Sequence, residues 1–398
     1  MKEKTSLQLL VEQQDALEAR IVTTMGAVGR CEGASEATCV LMEVPDLRKK
    51  EGQEPLVAKR RSLRPGAGRP ERVKPPLASD DATEVFRERF EVVSEAWREL
   101  SEGKNLLRSL DDDAWRKREL PSAGFTEQFY GCCRELDEAG NLTERHLTFL
   151  DLGCAPGGFS LYFLEKGLTG VGVTLPAAPG FHAVDPRLLE AKNYDLRFLD
   201  CTVNPSGVVF GREKTENAGE ISDFYDVVVA GARFSRVGKK NDDDSEATLT
   251  LEKKNAGDPT RRLLTAQLLV AFRHLKPDGS LVVVLNITPT LPYACVLCVL
   301  RENFREVIAV KPASNFQYIS SCYVVANGFV GPSESLDIRL AAAFARLDAG
   351  LDAPCAPLVD VCAKDLLDNH QEALQTLLEP LWRAQNKVIR DLLATIHL

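Results

Sequence analysis

One stretch constrains the fold of this chain more than any other. Residues Leu147–Thr174 read LTFLDLGCAPGGFSLYFLEKGLTGVGVT. An apolar run ends at Leu152, and a turn rich in glycine and proline follows it. A helical pattern over Phe159–Lys166 is closed by Gly167 and precedes a second apolar run, Leu168–Thr174. Strand, glycine turn, helix and strand form the first unit of an open α/β sheet, in which ligands bind at the carboxyl ends of the strands.

Predicted strands and helices continue to alternate beyond that unit. Apolar runs predict strands at Leu196–Leu199, Tyr225–Ala230, Ser280–Leu285, Val307–Val310 and Ser320–Ala326. Helices are predicted at Arg261–Leu275 and Leu291–Asn303, with a turn at 277–279. The strands YDVVVA and SLVVVL are apolar at successive positions, which is typical of strands covered on both faces. The pattern predicts an α/β fold with a doubly wound, mostly parallel sheet.

The N-terminal part of the chain has a different composition. Residues 1–25 show partial helical spacing, and residues 26–79 are rich in Gly, Pro and Arg, which predicts a disordered linker. Between Leu47 and Pro76, ten basic residues oppose three acidic ones. That segment therefore carries a charge of +7, which leaves −16 for the rest of a chain of net charge −9. The run Lys59–Arg64 is either a nuclear address or nucleic-acid patch, or a solvated charged linker.

Segments with helices and no strands are predicted before and after the sheet domain in the sequence. Residues 80–120 have a helical apolar stripe before it. Helices are predicted after it at Leu336–Asp348 and Ala363–Leu393, the second broken near Pro380. We expect these extensions to pack on the sheet domain or on a protein partner. The predicted divisions are a helix at 1–25, a linker at 26–79, a helical segment at 80–120, the sheet domain at 121–330 and a helical region at 331–398.

Cysteine and histidine usage argues against a disulfide framework and against a metal site. The 11 cysteines follow no paired pattern, and no signal peptide or membrane-length apolar run is evident, so an intracellular location, nuclear or cytoplasmic, is expected. The pair Cys295 and Cys298 lies in an apolar run and predicts buried helix cysteines. The five histidines are scattered, so no metal is expected.

The glycine turn belongs to a recognisable type. It lacks the G-x-G-x-x-G pattern of dinucleotide sites and the Gly-Lys-Ser/Thr of phosphate loops. The string DLGCAPGGFS, residues 151–160, resembles the S-adenosylmethionine loop of the FtsJ/RrmJ-like RNA 2′-O-methyltransferases. Order and spacing from about Phe125 to Gly328 follow that family, and the chain is most similar to a divergent, fungal-type branch. The resemblance implies a Rossmann-like methyltransferase fold, S-adenosylmethionine as cofactor and the RNA methyltransferase class of reaction. The helical N- and C-terminal extensions have no counterpart in it, and RNA contact through Arg48–Lys74 is predicted from the charge of that segment.

The resemblance also implies residues for the cofactor site. Asp200, after the third strand, matches the aspartate that accepts a hydrogen bond from the adenine amino group. Thr174 and Leu175 stand where an acidic ribose-binding residue is usual. Glycines are expected because a side chain would occupy the cofactor's space, so Gly157→Val should abolish binding and spare the fold. The residues expected around the methionine half are Asp151, Gly153, Cys154, Pro156, Gly157, Gly158 and Phe159.

The catalytic positions implied by the resemblance are substituted. Family members activate the ribose hydroxyl with lysine, aspartate, lysine and glutamate, because an alcohol is a poor nucleophile at neutral pH. Those four positions fall on Cys132, Gly231, Val284 and Ser321. A shift of two residues would place Asn286 at the third position, and neither register supplies a lysine. The acid nearest in sequence, Asp226, is expected to be a residue of the strand start. Other polar side chains considered for the site are His182, Arg233, Lys239, Lys240 and Lys311.

Three interpretations remain from the sequence. In the first, the protein is an S-adenosylmethionine-dependent methyltransferase with a non-standard acceptor site, where positioning supplies much of the rate. In the second, it is a catalytically inactive relative that works as an RNA- or protein-binding scaffold. In the third, the fold is kept for structure and binds no cofactor. The intact loop and Asp200 argue against the third, and the missing tetrad argues against ordinary ribose methylation.

Overall fold

The structure is a computed structural model that describes residues 80–109, 124–176, 182–208, 223–233, 258–317, 319–351 and 363–396. The predicted N-terminal helix, the basic linker with its segment Arg48–Lys74, and the pair Lys239 and Lys240 lie outside the described residues.

Helices and strands alternate through the centre of the chain, with helices at both ends. The helices are α1 Asp80–Val93, α2 Glu95–Ser109, α3 Phe125–Gly140, α4 Gly158–Glu165, α5 Pro186–Glu190, α6 Pro259–His274, α7 Leu291–Asn303, α8 Glu334–Asp348 and α9 Ala363–Ile396. The strands are β1 Thr148–Leu152, β2 Thr169–Thr174, β3 Tyr194–Phe198, β4 Tyr225–Ala230, β5 Leu275–Asn286, β6 Phe304–Val310 and β7 Ser321–Phe329.

These seven strands form one sheet in the order β3-β2-β1-β4-β5-β7-β6. Strands β1 to β5 pair in parallel, and β7 is antiparallel to its neighbours β5 and β6. The order reverses direction between β1 and β4, which is the switch point at which open α/β sheets bind ligands. The predicted fold class, a doubly wound and mostly parallel sheet, is confirmed.

Two elements begin and end at the predicted residues, whereas a predicted turn and a predicted helix break differ from the structure. Strand β4 and helix α7 begin and end at the predicted residues. The predicted turn at 277–279 lies inside β5, because Tyr225 pairs with Leu275 while Val227 pairs with Ser280, so four residues of β5 bulge past one of β4. The predicted break at Pro380 is also wrong, because α9 runs through it without interruption.

Helix α9 continues past Pro380 because its apolar side chains are anchored on both sides of the proline. A proline inside a helix costs about 3 kcal/mol through a lost hydrogen bond and a steric clash. Leu374 and Leu378 before it, and Leu381 and Trp382 after it, are buried in the same core. The packing of these side chains offsets the local cost and keeps the two halves of the helix collinear.

Each face of the sheet is covered by a separate apolar cluster. Phe149, Val229 and Tyr323 belong to the cluster beneath α3 and α4. The opposite cluster contains residues of α6 and α7 together with residues of the terminal helices α1, α2, α8 and α9. Cys295 and Cys298 lie in it as buried thiols on α7, as predicted.

The terminal helices are joined to the sheet by an aromatic group. Trp382 of α9 is fully buried, 5.6 Å from Phe90 and 5.4 Å from Trp97 between ring centroids. Its indole nitrogen donates a 2.7 Å hydrogen bond to the carbonyl of Ile287, directly after β5. Lys104 of α2 donates to the hydroxyl of Ser320, just before β7. The extensions therefore contact the carboxyl edge of the sheet from one side.

Candidate functional site

The carboxyl ends of the central strands lie side by side at one edge. Leu152 of β1 pairs with Val173 of β2 and with Ala230 of β4, and Thr174 pairs with Phe198 of β3. The residues that follow these strands therefore leave the sheet at the same level. They include the glycine turn, Leu175, Asp200 and Gly231, so the sheet brings together the predicted loop and three of the positions predicted to surround it.

The glycine turn is held to the neighbouring strand by its own backbone. The amides of Gly153 and Cys154 both donate to the carbonyl of Val173, at 2.8 and 3.0 Å. Gly153 and Gly157 have φ angles of +86° and +118°, which L side chains rarely adopt. Gly157 is the N-cap of α4. The backbone hydrogen bonds and the glycine conformations therefore define the turn without a ligand.

The glycines of the turn are also required by packing within the chain. A Cβ on Gly153 would lie 2.4 Å from Cβ of Ala232, and one on Gly157 would lie 2.4 Å from Cδ1 of Leu188. A Cβ on Gly158 would meet backbone atoms of α3 at 2.4 Å. The expectation that Gly157→Val would spare the fold is therefore wrong, because the new side chain meets Leu188 and the backbone angle disfavours it.

A small cavity of about 40 Å³ opens beside the turn. Its lining residues are Phe129, Asp151, Gly153, Cys154, Ala155, Pro156, Gly158, Phe159, Val229, Gly231 and Tyr323. Binding sites for whole small molecules usually measure roughly 300 to 1,000 Å³. The cavity is therefore too small to enclose a whole cofactor, most of which would lie over the strand ends outside it.

Asp151 is the carboxylate in the lining of this cavity. Its side chain is 2% exposed and accepts a 2.7 Å hydrogen bond from the hydroxyl of Ser160, which lies 3.0 Å from the hydroxyl of Tyr194. Burial raises the pKa of Asp151 to about 7, although the hydrogen bonds from Ser160 act in the opposite direction. A proton can therefore leave or enter this carboxyl group near neutral pH.

Asp200 lies at the expected strand end and is bound within its own loop. One carboxylate oxygen accepts hydrogen bonds from the amide and the hydroxyl of Thr202, at 2.8 and 2.7 Å. Arg262 of α6 donates to the hydroxyl and the carbonyl of Thr202, which fixes this loop to the body of the domain. Thr174 accepts from the amide of Leu199 through its carbonyl. Leu175 is 40% exposed beside them.

The four positions that the resemblance matches to the family tetrad carry no lysine, aspartate or glutamate. Cys132 is fully buried on α3, and burial raises the pKa of its thiol to about 12. Val284 packs against the cluster that contains Tyr323. Ser321 is 4% exposed. At Gly231 an added Cβ would lie 3.3 Å from Cγ1 of Val229, a tight contact that requires Val229 to shift slightly.

Among the other polar residues considered, Arg233 packs on a ring that contacts the cavity lining. Its guanidinium group stands 5.5 Å from the ring centroid of Phe316, which stacks on Tyr323 at 5.1 Å. Asn286 ends β5 and accepts from the amide of Thr288. His182 packs on Phe125 at 4.5 Å between ring centroids.

Lys311 and Asp226 both form hydrogen bonds with other residues of the chain. Lys311 donates to the carbonyls of Ile319 and Ser321, and burial lowers its pKa to about 7. Asp226 binds Thr148 and Lys276 at the opposite edge of the sheet, as expected for a residue of the strand start.

Four residues of the site were not predicted from the sequence. Phe129 comes from α3 and Tyr323 from β7, and both line the cavity. Ser160 donates a hydrogen bond to Asp151, and the hydroxyl of Tyr194 is hydrogen-bonded to that of Ser160. Ser160 ends the string DLGCAPGGFS and Tyr323 lies in the segment Ser-Ser-Cys-Tyr, so both stood within motifs. Nothing in the sequence around Phe129 or Tyr194 marks them.

The comparison with protein families identifies the sheet domain. The sequence profile of the FtsJ-like methyltransferase family matches residues 133–329, from the second half of α3 to the end of β7. Residues 133–329 form an FtsJ-like methyltransferase domain. The predicted family is confirmed for this domain, and the predicted methyltransferase function and S-adenosylmethionine cofactor agree with it.

Similar proteins include one curated relative and several solved structures. The relative is Ribosomal RNA large subunit methyltransferase E of Verminephrobacter eiseniae (strain EF01-2), 26% identical over 233 residues, which are 57% of this chain and 79% of the relative. A TehB-like SAM-dependent methyltransferase from Corynebacterium glutamicum is 16% identical over 57% of this chain and 98% of its own, with a TM-score of 0.28. The 1,6-didemethyltoxoflavin-N1-methyltransferase of Burkholderia thailandensis is 14% identical over 64% of this chain and 92% of its own, with a TM-score of 0.31.

Membrane insertion has no structural support in the described residues. Among the helices of that part of the chain, none combines the length and the apolar character needed to cross a bilayer.

Proposed function

We propose that the protein binds S-adenosylmethionine at the glycine loop and transfers its methyl group to RNA, using an acceptor site that lacks the lysine, aspartate, lysine and glutamate set. One observation carries this proposal. The loop, Asp151 and Asp200 lie at the carboxyl edge of the FtsJ-like domain, whereas the four positions matched to the tetrad are Cys132, Gly231, Val284 and Ser321, which supply neither an amine nor a carboxylate. This contrast supports a site that binds the methyl donor and handles the acceptor differently from the family.

The residues at the sheet edge suit this cofactor. The carboxylate of Asp200 would accept the adenine amino group, and the exposed face of Leu175 would lie against the base. The turn from Gly153 to Gly158 and the bare backbone at Gly231 would border the methionine half. When bound, S-adenosylmethionine supplies a methyl group on a positively charged sulfur, so the chain has only to hold donor and acceptor in line.

The acceptor side would act by positioning. Holding two reactants in the correct geometry can be equivalent to effective concentrations of roughly 10⁵ to 10⁸ M, so a rate acceleration does not require a base. Arg233, fixed over Phe316 beside the cavity lining, would bind a phosphate of the acceptor strand. The relative named for ribosomal RNA and the basic segment Arg48–Lys74 support RNA as the acceptor class.

A second function is favoured by the burial of the acceptor positions. The thiol of Cys132 is fully buried and Val284 belongs to an apolar cluster, so neither side chain reaches a substrate. In that case the domain binds the cofactor without turning it over and works as a scaffold. The basic segment would contact RNA and the terminal helices would contact a protein.

Calorimetry and a transfer assay separate the three interpretations. Titration with S-adenosylmethionine should show saturable binding to one site, and its absence would leave only a structural role for the fold. Tritiated cofactor should then label total RNA and not a protein extract. Label in protein alone would assign a different acceptor, and binding without label in either would favour the scaffold. Gly231→Leu, which places a side chain at the cavity, serves as the binding-deficient control.

RNA contact through the basic segment has its own test. Deletion of residues 48–74 removes ten cationic side chains, so retention on an RNA filter should fall and the salt dependence should become shallower. The same retention and the same slope in the deleted protein would remove the segment from the proposed interface.

An intracellular location, nuclear or cytoplasmic, is part of the proposal. The cysteines in the described part of the chain are buried and form no disulfide, which suits a reducing compartment.

A further inference from the structure

We propose that Asp348 of α8 is a positioning residue of the cofactor site, because it acts through Arg262 to fix the loop that carries Asp200. The inference rests on the proposed function, since it takes the carboxylate of Asp200 as the acceptor for the adenine amino group. It goes beyond that function by giving the C-terminal helix α8, which lies outside the family match at residues 133–329, a part in recognition of the base.

The two helices that carry this contact match each other in sequence. Helix α6 has arginines at 262 and 273, and α8 has aspartates at 337 and 348, so the members of each pair are 11 positions apart. Eleven residues are about three helical turns, so each pair lies on one face of its helix. Arg262 binds Asp348 and Arg273 binds Asp337, with N–O distances of 2.6 and 2.7 Å. The helices are therefore antiparallel and are fixed in register by two ion pairs.

Both arginines also contact the loop after β3, which comprises residues 199–208. The guanidinium group of Arg262 donates to the hydroxyl and the carbonyl of Thr202, at 2.7 and 3.0 Å. The guanidinium group of Arg273 donates to the carbonyl of Ser206. Each arginine of α6 thus bridges one aspartate of α8 and one residue of the loop. The position of the loop therefore depends on α8 through α6.

Thr202 connects Arg262 to the carboxylate of Asp200. The hydroxyl of Thr202 donates its one hydrogen to Oδ1 of Asp200 and accepts a hydrogen bond from Arg262. The cationic donor on the hydroxyl oxygen orients that hydrogen towards Asp200. The amide of Thr202 donates to Oδ1 as well. Oδ2 accepts no hydrogen bond from the residues that the structure describes, so this oxygen is the one available to the adenine amino group.

Asp348 determines where the guanidinium group of Arg262 lies. Nε and Nη2 face Oδ1 of Asp348 at 2.7 and 2.6 Å, and the ring centroid of Phe344, one turn earlier on α8, lies 5.4 Å from Cζ. Nη1 and Nη2 face Thr202 on the other side. The planar group is held between α8 and the loop by all of its nitrogens, which the single ammonium group of a lysine would not reproduce. Loss of the Asp348 charge would release one side of it and weaken the restraint on Thr202.

These contacts can be removed without unfolding the helix. The side chain of Asp348 is 53% exposed, and ion pairs at such positions contribute little to stability. Leu336 and Leu340 anchor α8 in the apolar cluster that also contains residues of α6. The far end of the loop has a separate contact, because a ring nitrogen of His274 lies 3.0 Å from the carbonyl oxygen of Val208. Asp348→Asn should therefore leave α8 in place and change only how firmly the loop is held.

The test measures recognition of the adenine amino group. Displacement calorimetry against S-adenosylmethionine gives the affinities of adenosine and of purine riboside, which differs from adenosine only in lacking that amino group. Wild-type protein should bind adenosine at least about tenfold more tightly, because purine riboside leaves the carboxylate of Asp200 without its donor. Asp348→Asn should lower this ratio at least about threefold. A variant that merely contains less folded protein loses both ligands equally, so its ratio stays unchanged.

Two further variants make the result specific to the contact through Arg262. Glu334→Gln is the matched control, because it neutralises an exposed carboxylate of α8 and should keep the wild-type ratio. Arg262→Lys should lower the ratio by itself. Adding Asp348→Asn to Arg262→Lys should then cause little further loss, since Asp348 acts through Arg262. Additive losses in the double variant would contradict this route.

The outcomes separate this inference from the proposed function. An equal ratio in wild-type protein and Asp348→Asn, with S-adenosylmethionine bound by both, would overturn the inference and leave cofactor binding in place. A wild-type ratio near one would also overturn it, because Asp200 would then not recognise the amino group. No binding of S-adenosylmethionine to the wild-type protein would instead refute the proposed function.

Discussion

The two buried tryptophans provide a direct test of whether the terminal helices and the methyltransferase domain share one core. Trp382 of α9 donates a 2.7 Å hydrogen bond from its indole nitrogen to the carbonyl of Ile287. Trp97 of α2 packs 5.4 Å away, and its buried indole nitrogen has no hydrogen-bond partner among the residues that the structure describes. The two side chains therefore differ in their polar contact while sharing one apolar environment.

Replacing each tryptophan by phenylalanine isolates that polar contact. Both changes remove similar volume from the same core, so their packing costs are comparable. Trp382→Phe also leaves the buried carbonyl of Ile287 without its donor, which costs about 1 to 3 kcal/mol. Trp97→Phe removes an indole N–H that is buried and unpaired. Removing it is favourable and offsets part of the free energy lost through poorer packing. We expect Trp382→Phe to be less stable than Trp97→Phe by about 2 kcal/mol.

Equilibrium unfolding in urea, followed by far-ultraviolet circular dichroism, measures this difference. The variants should differ in midpoint and share one slope, because the slope reports the surface exposed on unfolding. Equal midpoints would refute the role of the hydrogen bond to Ile287. A separate early transition confined to Trp382→Phe would show that the terminal helices unfold independently of the sheet, contrary to the shared core.

Three further predictions concern the two edges of the sheet. Gly231→Leu should weaken S-adenosylmethionine binding at least about tenfold by calorimetry, because Gly231 lines the cavity; its Cβ would lie 3.3 Å from Cγ1 of Val229, so a small fall in melting temperature is expected as well, and full affinity would exclude this position from the site. Asp200→Asn should reduce the affinity for adenosine as well as for the cofactor, whereas loss of cofactor affinity alone would argue against adenine recognition. Asp226→Asn should destabilise the fold at pH 7. Burial acts to raise the pKa of Asp226, but hydrogen bonds from Lys276 and Thr148 outweigh it and leave the pKa below its ordinary value. The stability it contributes is present above the unfolded-state pKa of about 3.9 and is lost as pH falls through the folded value, so the difference between variant and wild type should close on acidification and a constant difference would contradict the assignment.

Local signals were sufficient for the elements that form the site. The apolar runs of β1, β2 and β4 and the glycines between them predicted strand, turn and helix, because covering both faces of a strand requires apolar residues throughout. The bulge at 277–279 and the unbroken α9 were missed. In α9 the burial of side chains on both sides of Pro380 outweighed the local preference of proline. At 277–279 the local turn is kept as a bulge within a longer strand, because pairing with β4 resumes at Ser280.

The glycine loop was predicted correctly as a turn. The structure gives a further reason for its glycines, which the sequence did not reveal. Close approach of a cofactor was the expected cause. In the structure Ala232, Leu188 and the backbone of α3 come within 2.4 Å of where a Cβ would be placed. These contacts join residues that lie between 30 and 80 positions apart, and no pattern within a short window encodes them.

The amino-acid order was enough to establish the α/β class and the loop at the end of β1, because both depend on residue type at short spacing. The substitution of the family's catalytic side chains stays a prediction. The three-dimensional packing was needed to show that Phe129 and Tyr323 enclose Asp151, and that α1, α2 and α9 share a core with the sheet. Burial and proximity between distant segments arise from the competition of all side chains for one interior. The outcome depends on the packing of the whole chain and not on any short segment of it.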